Sequence, residues 1–161
     1  MNCDLKKVPS LALGLLMTSE FIFAQVIDGA WGIFFVWFTL FFWELWYMRV
    51  LVVTGEKAPD YYNGVVGRFK ASVAMLLSVE TIFSIMSVVF ILMPNVLPTA
   101  VVGVAKSARF LIHSLLFVWQ ITMLLNAFAA TMSADEYKAE RGKIVLMLVF
   151  APLGAMFFKE E

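Results

Sequence analysis

Between Val8 and Val53 polar side chains are few, and Thr18, Ser19, Glu20, Gln25, Asp28, Thr39, Glu44 and Arg49 do not gather on one helical face. A soluble helix keeps a polar stripe, whereas a helix apolar all round needs lipid or a large protein interior. A chain of 161 residues cannot supply such an interior. The densest part is Trp31–Tyr47, where ten of seventeen residues are aromatic. As one helix, Val8–Val53 would reach about 70 Å, more than twice the hydrocarbon thickness of a bilayer. It must fold back, and Asp28-Gly29-Ala30 is the expected turn, because glycine tolerates the left-handed conformation that ends a helix. The pattern therefore predicts spans over 8–27 and 31–53, joined as an antiparallel hairpin.

The longest polar segment, Thr54–Lys70, carries Pro59, Gly64 and Gly67 and reads as a loop. A third span is expected over 71–93, stopping at Pro94. The next stretch, PNVLPTAVVGVAK, has two prolines that argue against a simple helix, which places the fourth span at 108–132. Ser133–Lys143 reads as a second polar loop. The final apolar segment, 143–158, is sixteen residues long and bent by Pro152 and Gly154, so a short or kinked fifth span is expected. The predicted fold class is all-α, a polytopic membrane helical bundle of four spans plus a short fifth, forming a single domain over 1–161.

Composition agrees. Hydrophobic residues are 62% of the chain and charged residues 15%, against roughly half and a quarter in soluble domains. Mean hydropathy is +0.89. Formal net charge is zero, which argues against nucleic acid as a partner. The single cysteine, Cys3, excludes an intrachain disulfide or thiolate metal cluster. Lys6 and Lys7 ahead of Val8 resemble the start of a secretory signal, but Glu20 interrupts the run and a second apolar segment follows at once, so a retained hairpin is expected.

With the N-terminus in the cytoplasm, Lys6, Lys7, Arg49, Lys57, Arg68, Lys70, Lys138, Arg141 and Lys143 lie inside, while Lys106, Arg109 and Lys159 lie outside. That distribution obeys the positive-inside rule and suits a bacterial inner membrane. Trp31 is expected at the outer interface, with Trp46 and Tyr47 at the inner one and Arg49 snorkelling behind them.

Ionisable groups inside lipid mark functional or interhelical contacts by default. Glu20, Glu44, Glu80 and His113 fall within the predicted spans, and their depths predict three pairs: Glu20 with His113, Glu80 with Gln120, and Glu44 with Asn126. Ser84 and Ser87 follow Glu80 at i+4 and i+7, and so continue its face. These groups form either a polar path for protons or cations, or hydrogen bonds that hold the bundle together; the second use is the commoner. No paired Glu-x-x-His motif is present, and one histidine gives no bis-histidine haem site, so no cofactor is expected. No catalytic nucleophile motif appears either, and an enzyme is not expected.

The function this pattern favours is a homo-oligomeric, channel-like or scaffold subunit. Its partners would be the lipid bilayer and a cytosolic protein reached through 54–70 and 133–143. Phage-defence and toxin-immunity membrane subunits share this format, an analogy of size and build alone. The rival expectation is a membrane enzyme or electron carrier that binds lipid or quinone against the aromatic helix.

Overall fold

The computed structural model describes residues 10–26, 30–93, 98–151 and 155. Five helices follow in order: α1 (Ser10–Val26), α2 (Ala30–Lys57), α3 (Pro59–Leu92), α4 (Thr99–Thr131) and α5 (Ala134–Val149). Three of them, over Trp31–Lys57, Pro59–Leu92 and Ala100–Thr131, are long and apolar enough to cross a membrane. The chain is thus an all-α membrane bundle, with α1 and α5 as shorter companions. The aromatic helix α2 is its centre, packing against α1, α3 and α4, while α5 lies against α4. The expected hairpin turn, Asp28 and Gly29, lies outside the described residues. Phe23 and Phe35, one on each arm, meet at 5.5 Å between ring centroids.

α2 and α3 run on into 54–70 and α5 begins within 133–143, because both polar segments read as loops are helical. Only Ala58 separates α2 from α3. Pro59 causes no break because it stands in the first turn of α3, where its missing N–H has no intrahelical partner to lose. Asp60 in that turn complements the helix dipole. Ser133–Lys143 likewise opens α5 through a capping box: the Ser133 hydroxyl accepts from the Glu136 amide, and the Glu136 carboxylate accepts from the Ser133 amide at 2.9 Å. The Ser133 hydroxyl also donates to the Glu136 carboxylate at 2.7 Å, and with the Ser133 amide it holds that carboxyl below the usual carboxylate range. On α3, the 34 residues give about 51 Å, of which the apolar part, 71–92, covers about 33 Å. The bundle therefore extends beyond the bilayer as helix at the end where α3 begins.

At that end the core is densest. Trp46, Tyr47, Val50 and Leu51 of α2 meet Val65 and Phe69 of α3, Leu124 and Phe128 of α4, and Ile144 and Leu148 of α5. Two tyrosine hydroxyls fasten it, Tyr47 donating to the Leu148 carbonyl at 2.6 Å and Tyr61 to the Met123 carbonyl at 2.9 Å. Trp46 and Tyr47 are thus wholly enclosed, and Arg49 is 1% exposed. The expected interfacial belt with a snorkelling arginine is therefore corrected: this face of α2 is covered by protein, because the helical ends of α3, α4 and α5 continue past the lipid level.

Gly55 is required at the α2–α3 junction. A β-carbon there would lie 2.5 Å from Cδ2 of Tyr62 and 2.9 Å from its Cβ, an approach that a rigid ring attached to backbone cannot relieve. Gly55→Ala is expected to cost about 2 kcal/mol, in the range of core overpacking. A lowered unfolding midpoint in detergent checks this; an unchanged midpoint contradicts it.

Candidate functional site

Two polar clusters lie where α2, α3 and α4 converge. In the first, Glu80 of α3 is 1% exposed and faces α4. Arg109 donates from Nε to both carboxylate oxygens, at 3.2 and 3.0 Å, and from Nη2 to Oε2. His113 Nδ1 lies 3.1 Å from Oε1. Arg109 and His113 are four residues apart on one helix and so share a face. The carboxylate is held between two cation-forming side chains that are each about one-third exposed (34% and 30%). Lys106, three residues before Arg109, lines the same recess, with Phe110 beside it; the recess measures about 300 Å³.

The second cluster is deeper in the bundle. Gln120 is fully buried and donates from Nε2 to Glu44 Oε2 at 3.0 Å, with Ser72 Oγ at 3.4 Å. Ser72 in turn donates to the Phe69 carbonyl at 2.7 Å. Gln120 Oε1 and the indole nitrogens of Trp43 and Trp46 are buried and have no hydrogen-bond partner among the described residues. Between the clusters lies a cavity of about 40 Å³, walled by Trp43, Glu44, Leu76, His113 and Phe117.

The clusters contain the expected residues in different pairings. Glu80 meets His113 instead of Gln120, and Glu44 meets Gln120 instead of Asn126, so α4 is displaced by six or seven residues, about 10 Å along its axis. The cause is Pro98. It precedes α4 at the N-cap, where Val101 and Val102 donate to its carbonyl at 2.9 and 3.3 Å, so the helix starts at Thr99 and not near 108. Asn126 instead sits beside Tyr61. The side chain of Glu20, the expected partner of His113, lies outside the described residues. Ser84 and Ser87 part company: Ser87 lines a crevice with Arg109, whereas Ser84 lines a groove with Trp37 and Thr81. Trp37 Nε1 donates to Thr81 Oγ1 there, at 3.0 Å.

Arg109 and Ser72 were not among the residues singled out from the sequence. The expected boundaries put Arg109 at the outer end of the fourth span and Lys106 in the connection before it, whereas both lie well inside α4. The signal was present in the spacing: Lys106, Arg109 and His113 fall at i, i+3 and i+7, a single helical stripe of basic groups.

Chemically, the first cluster is an intramembrane ion pair with a histidine on its flank, and the second a neutral-donor clamp on a carboxyl. Neither pairs a nucleophile with a general base. Fold and site together define a small membrane bundle braced internally by charged and amide contacts. No family model, curated protein or solved structure matches the chain.

Proposed function

We propose that the protein is a non-enzymatic scaffold subunit of a membrane assembly, built from several copies of this chain that pack through α3. The observation that carries this reading is the outer face of α3. Gly64, Gly67, Ala71, Ala74 and Ser78 fall at i, i+3, i+7, i+10 and i+14, all exposed, on the side opposite the buried Val65, Phe69, Ser72, Leu76 and Glu80. Glycine within a helix costs about 1 kcal/mol relative to alanine. Yet a β-carbon at Gly64 or Gly67 would meet nothing within 4 Å, so packing inside the chain does not require their smallness. In lipid, small residues four apart, as Ala74 and Ser78 are, let two helix backbones approach closely, and Gly64 and Gly67 continue the same small face beyond the lipid. α3 is also the least buried of the three spanning helices, leaving most of its surface to lipid or neighbours.

The closed core formed by Trp46, Tyr47, Phe69 and Leu124 favours a scaffold over a pore through a single copy. The helical ends beyond the lipid, 54–70 and 133–143, offer a polar platform for a cytosolic partner. Native mass spectrometry from mild detergent tests the assembly: a multimer of fixed copy number is expected, and monomer at every concentration overturns it.

Orientation belongs to the same proposal. With the N-terminus inside, Asn63 and Asp135 face the cytoplasm. In a Cys3→Ser background, single cysteines at these exposed positions should resist an impermeant maleimide in intact cells and react once the membrane is opened. Reaction in intact cells reverses the orientation.

A second reading rests on the cavity between the clusters. About 40 Å³ is room for one water, and Glu44 and His113 both wall it. A water there would connect Glu44 to His113 and on to Glu80, a relay for protons but too narrow for a hydrated cation. Proton flux into liposomes that is lost in Glu80→Gln while the assembly persists would favour the relay over the scaffold.

A further inference from the structure

The ion pair of Glu80 and Arg109 lies deep in the bundle. Glu80 is twelve residues from Leu92, the end of α3, and Arg109 is ten from Thr99, the start of α4. Those separations place the pair about 15–18 Å from that end, near the middle of the apolar run of α3. Lys106 is one turn nearer the end and lines the same recess. Charge there is unbalanced. Lys106 and Arg109 contribute two positive charges against the single carboxylate of Glu80, and Lys106 makes no ion pair among the described residues. Glu80 is already engaged, since Arg109 donates to both of its oxygens and His113 approaches one.

An ammonium at that depth is costly unless an anion joins it. Snorkelling serves cations near helix ends, whereas Lys106 lies two turns inside α4. An anion arriving from water at the Leu92–Thr99 end would meet an apolar crevice of about 350 Å³, walled chiefly by Phe83, Met86, Phe90 and Val102. Lipid headgroups stay at the surface. The remaining route is sideways through the bilayer, where another spanning helix can hold a carboxylate at this level.

The flank of α4 beside Lys106 is open to such a helix. Gly103 and Ser107 are both exposed and four apart, and Phe110 next to them is 75% exposed. A β-carbon at Gly103 would meet nothing within 4 Å, so packing inside the chain does not require a glycine there. Small residues four apart let a second backbone come close. A second copy of this chain is a poor source of the carboxylate. Among the described side chains its intramembrane acids are Glu44 and Glu80, and both are buried.

We propose that Lys106 receives the carboxylate of an Asp or Glu in the middle of a spanning helix of a different protein, which packs along Gly103 and Ser107 of α4. The partner adds a second kind of subunit to the assembly. It docks on α4 and not on α3, so the proposal does not rest on contact between copies.

The test places the full chain in phosphatidylcholine liposomes with a synthetic leucine-rich spanning peptide that carries one central Glu, or with its Gln counterpart. Energy transfer between labels on chain and peptide reads association. The Glu peptide should bind about fivefold more tightly than the Gln peptide, within the range of polar contacts between spanning helices. Lys106→Met, which keeps the stem and removes the charge, should erase that difference, while Lys138→Met on α5 leaves it intact. Lys106 is exposed, so Lys106→Met should unfold at or above the wild-type temperature. Gly103→Leu should weaken binding of the Glu peptide without altering charge. Equal binding of the two peptides, or a preference that survives Lys106→Met, overturns the proposal. Loss of the preference in millimolar inorganic phosphate also overturns it, since a free anion would then reach the recess. So does a fall in copy number in Lys106→Met or Glu20→Gln by native mass spectrometry, which would make a second copy the occupant. Equal peptide binding with an intact copy number would sink this proposal alone and leave the scaffold reading in place.

Discussion

Glu80→Ala is expected to destabilise the bundle by about 2 kcal/mol, more than a typical interhelical hydrogen bond in a membrane protein, which averages about 0.6 kcal/mol. The difference arises from what the substitution leaves behind. Arg109 donates to both oxygens of Glu80, and His113 approaches one of them. Removing the carboxylate strands a guanidinium in the membrane, and losing one partner of a fully buried pair costs about 3–5 kcal/mol. The lower figure applies because Arg109 is 34% exposed and can turn toward the bilayer surface. Glu80→Gln should fall between wild type and Glu80→Ala, since the amide still accepts hydrogen bonds but carries no charge. The combination Glu80→Ala with Arg109→Ala should be more stable than Glu80→Ala alone, because the stranded charge is gone. Unfolding by sodium dodecyl sulfate in mixed micelles measures all three. Additive losses in the double variant would show that the two side chains act independently, contrary to the geometry.

Ala74→Ile should separate the copies while leaving each bundle folded. Ala74 is central in the α3 stripe and exposed. A β-branched side chain on this exposed face would hold two helix backbones apart if the stripe is their contact. Overpacking of this kind costs about 2 kcal/mol, roughly a thirtyfold loss of association. The unfolding midpoint of the separated chains should stay within the scatter of wild type, because the buried face of α3 is untouched. Gly67→Leu should act in the same direction, and Gly142→Leu, at another exposed helical glycine with open space around it, should not. Dissociation of wild type and Ala74→Ile at the same dilution, followed by light scattering in detergent, would contradict the assignment of the stripe.

The sequence made the class of the protein legible because lipid imposes a simple rule: a run apolar on all sides must span. That rule located α2 as the centre and the hairpin before it. It did not separate a polar helix from a polar loop. Thr54–Lys70 and Ser133–Lys143 are both hydrophilic, and only their local chemistry, Pro59 in a first turn and the Ser133–Glu136 box, marks them as helix. Nor does hydropathy distinguish a ring that faces lipid from one that faces protein, so the burial of Trp46 and Tyr47 was hidden until α5 was placed. The site was legible in its members and not in its pairings. Glu44, Glu80, His113 and Gln120 do come together, but reading Pro98 as a helix breaker slid α4 by two turns and put Arg109 at the outer end of its span, away from Glu80. A proline at an N-cap and a proline within a helix look alike in a sequence; the hydrogen bonds to its carbonyl differ.

Disulfide formation between copies, scanned along α3, tests the central claim most directly. In a Cys3→Ser background, single cysteines from Ala71 to Glu80 would be oxidised in native membranes before any detergent is added. Packing through the stripe predicts dimeric bands strongest at Ala71, Ala74 and Ser78, with Val73 and Leu77 weak between them. Bands absent throughout the scan, or strongest at Val73 and Leu77, would contradict it.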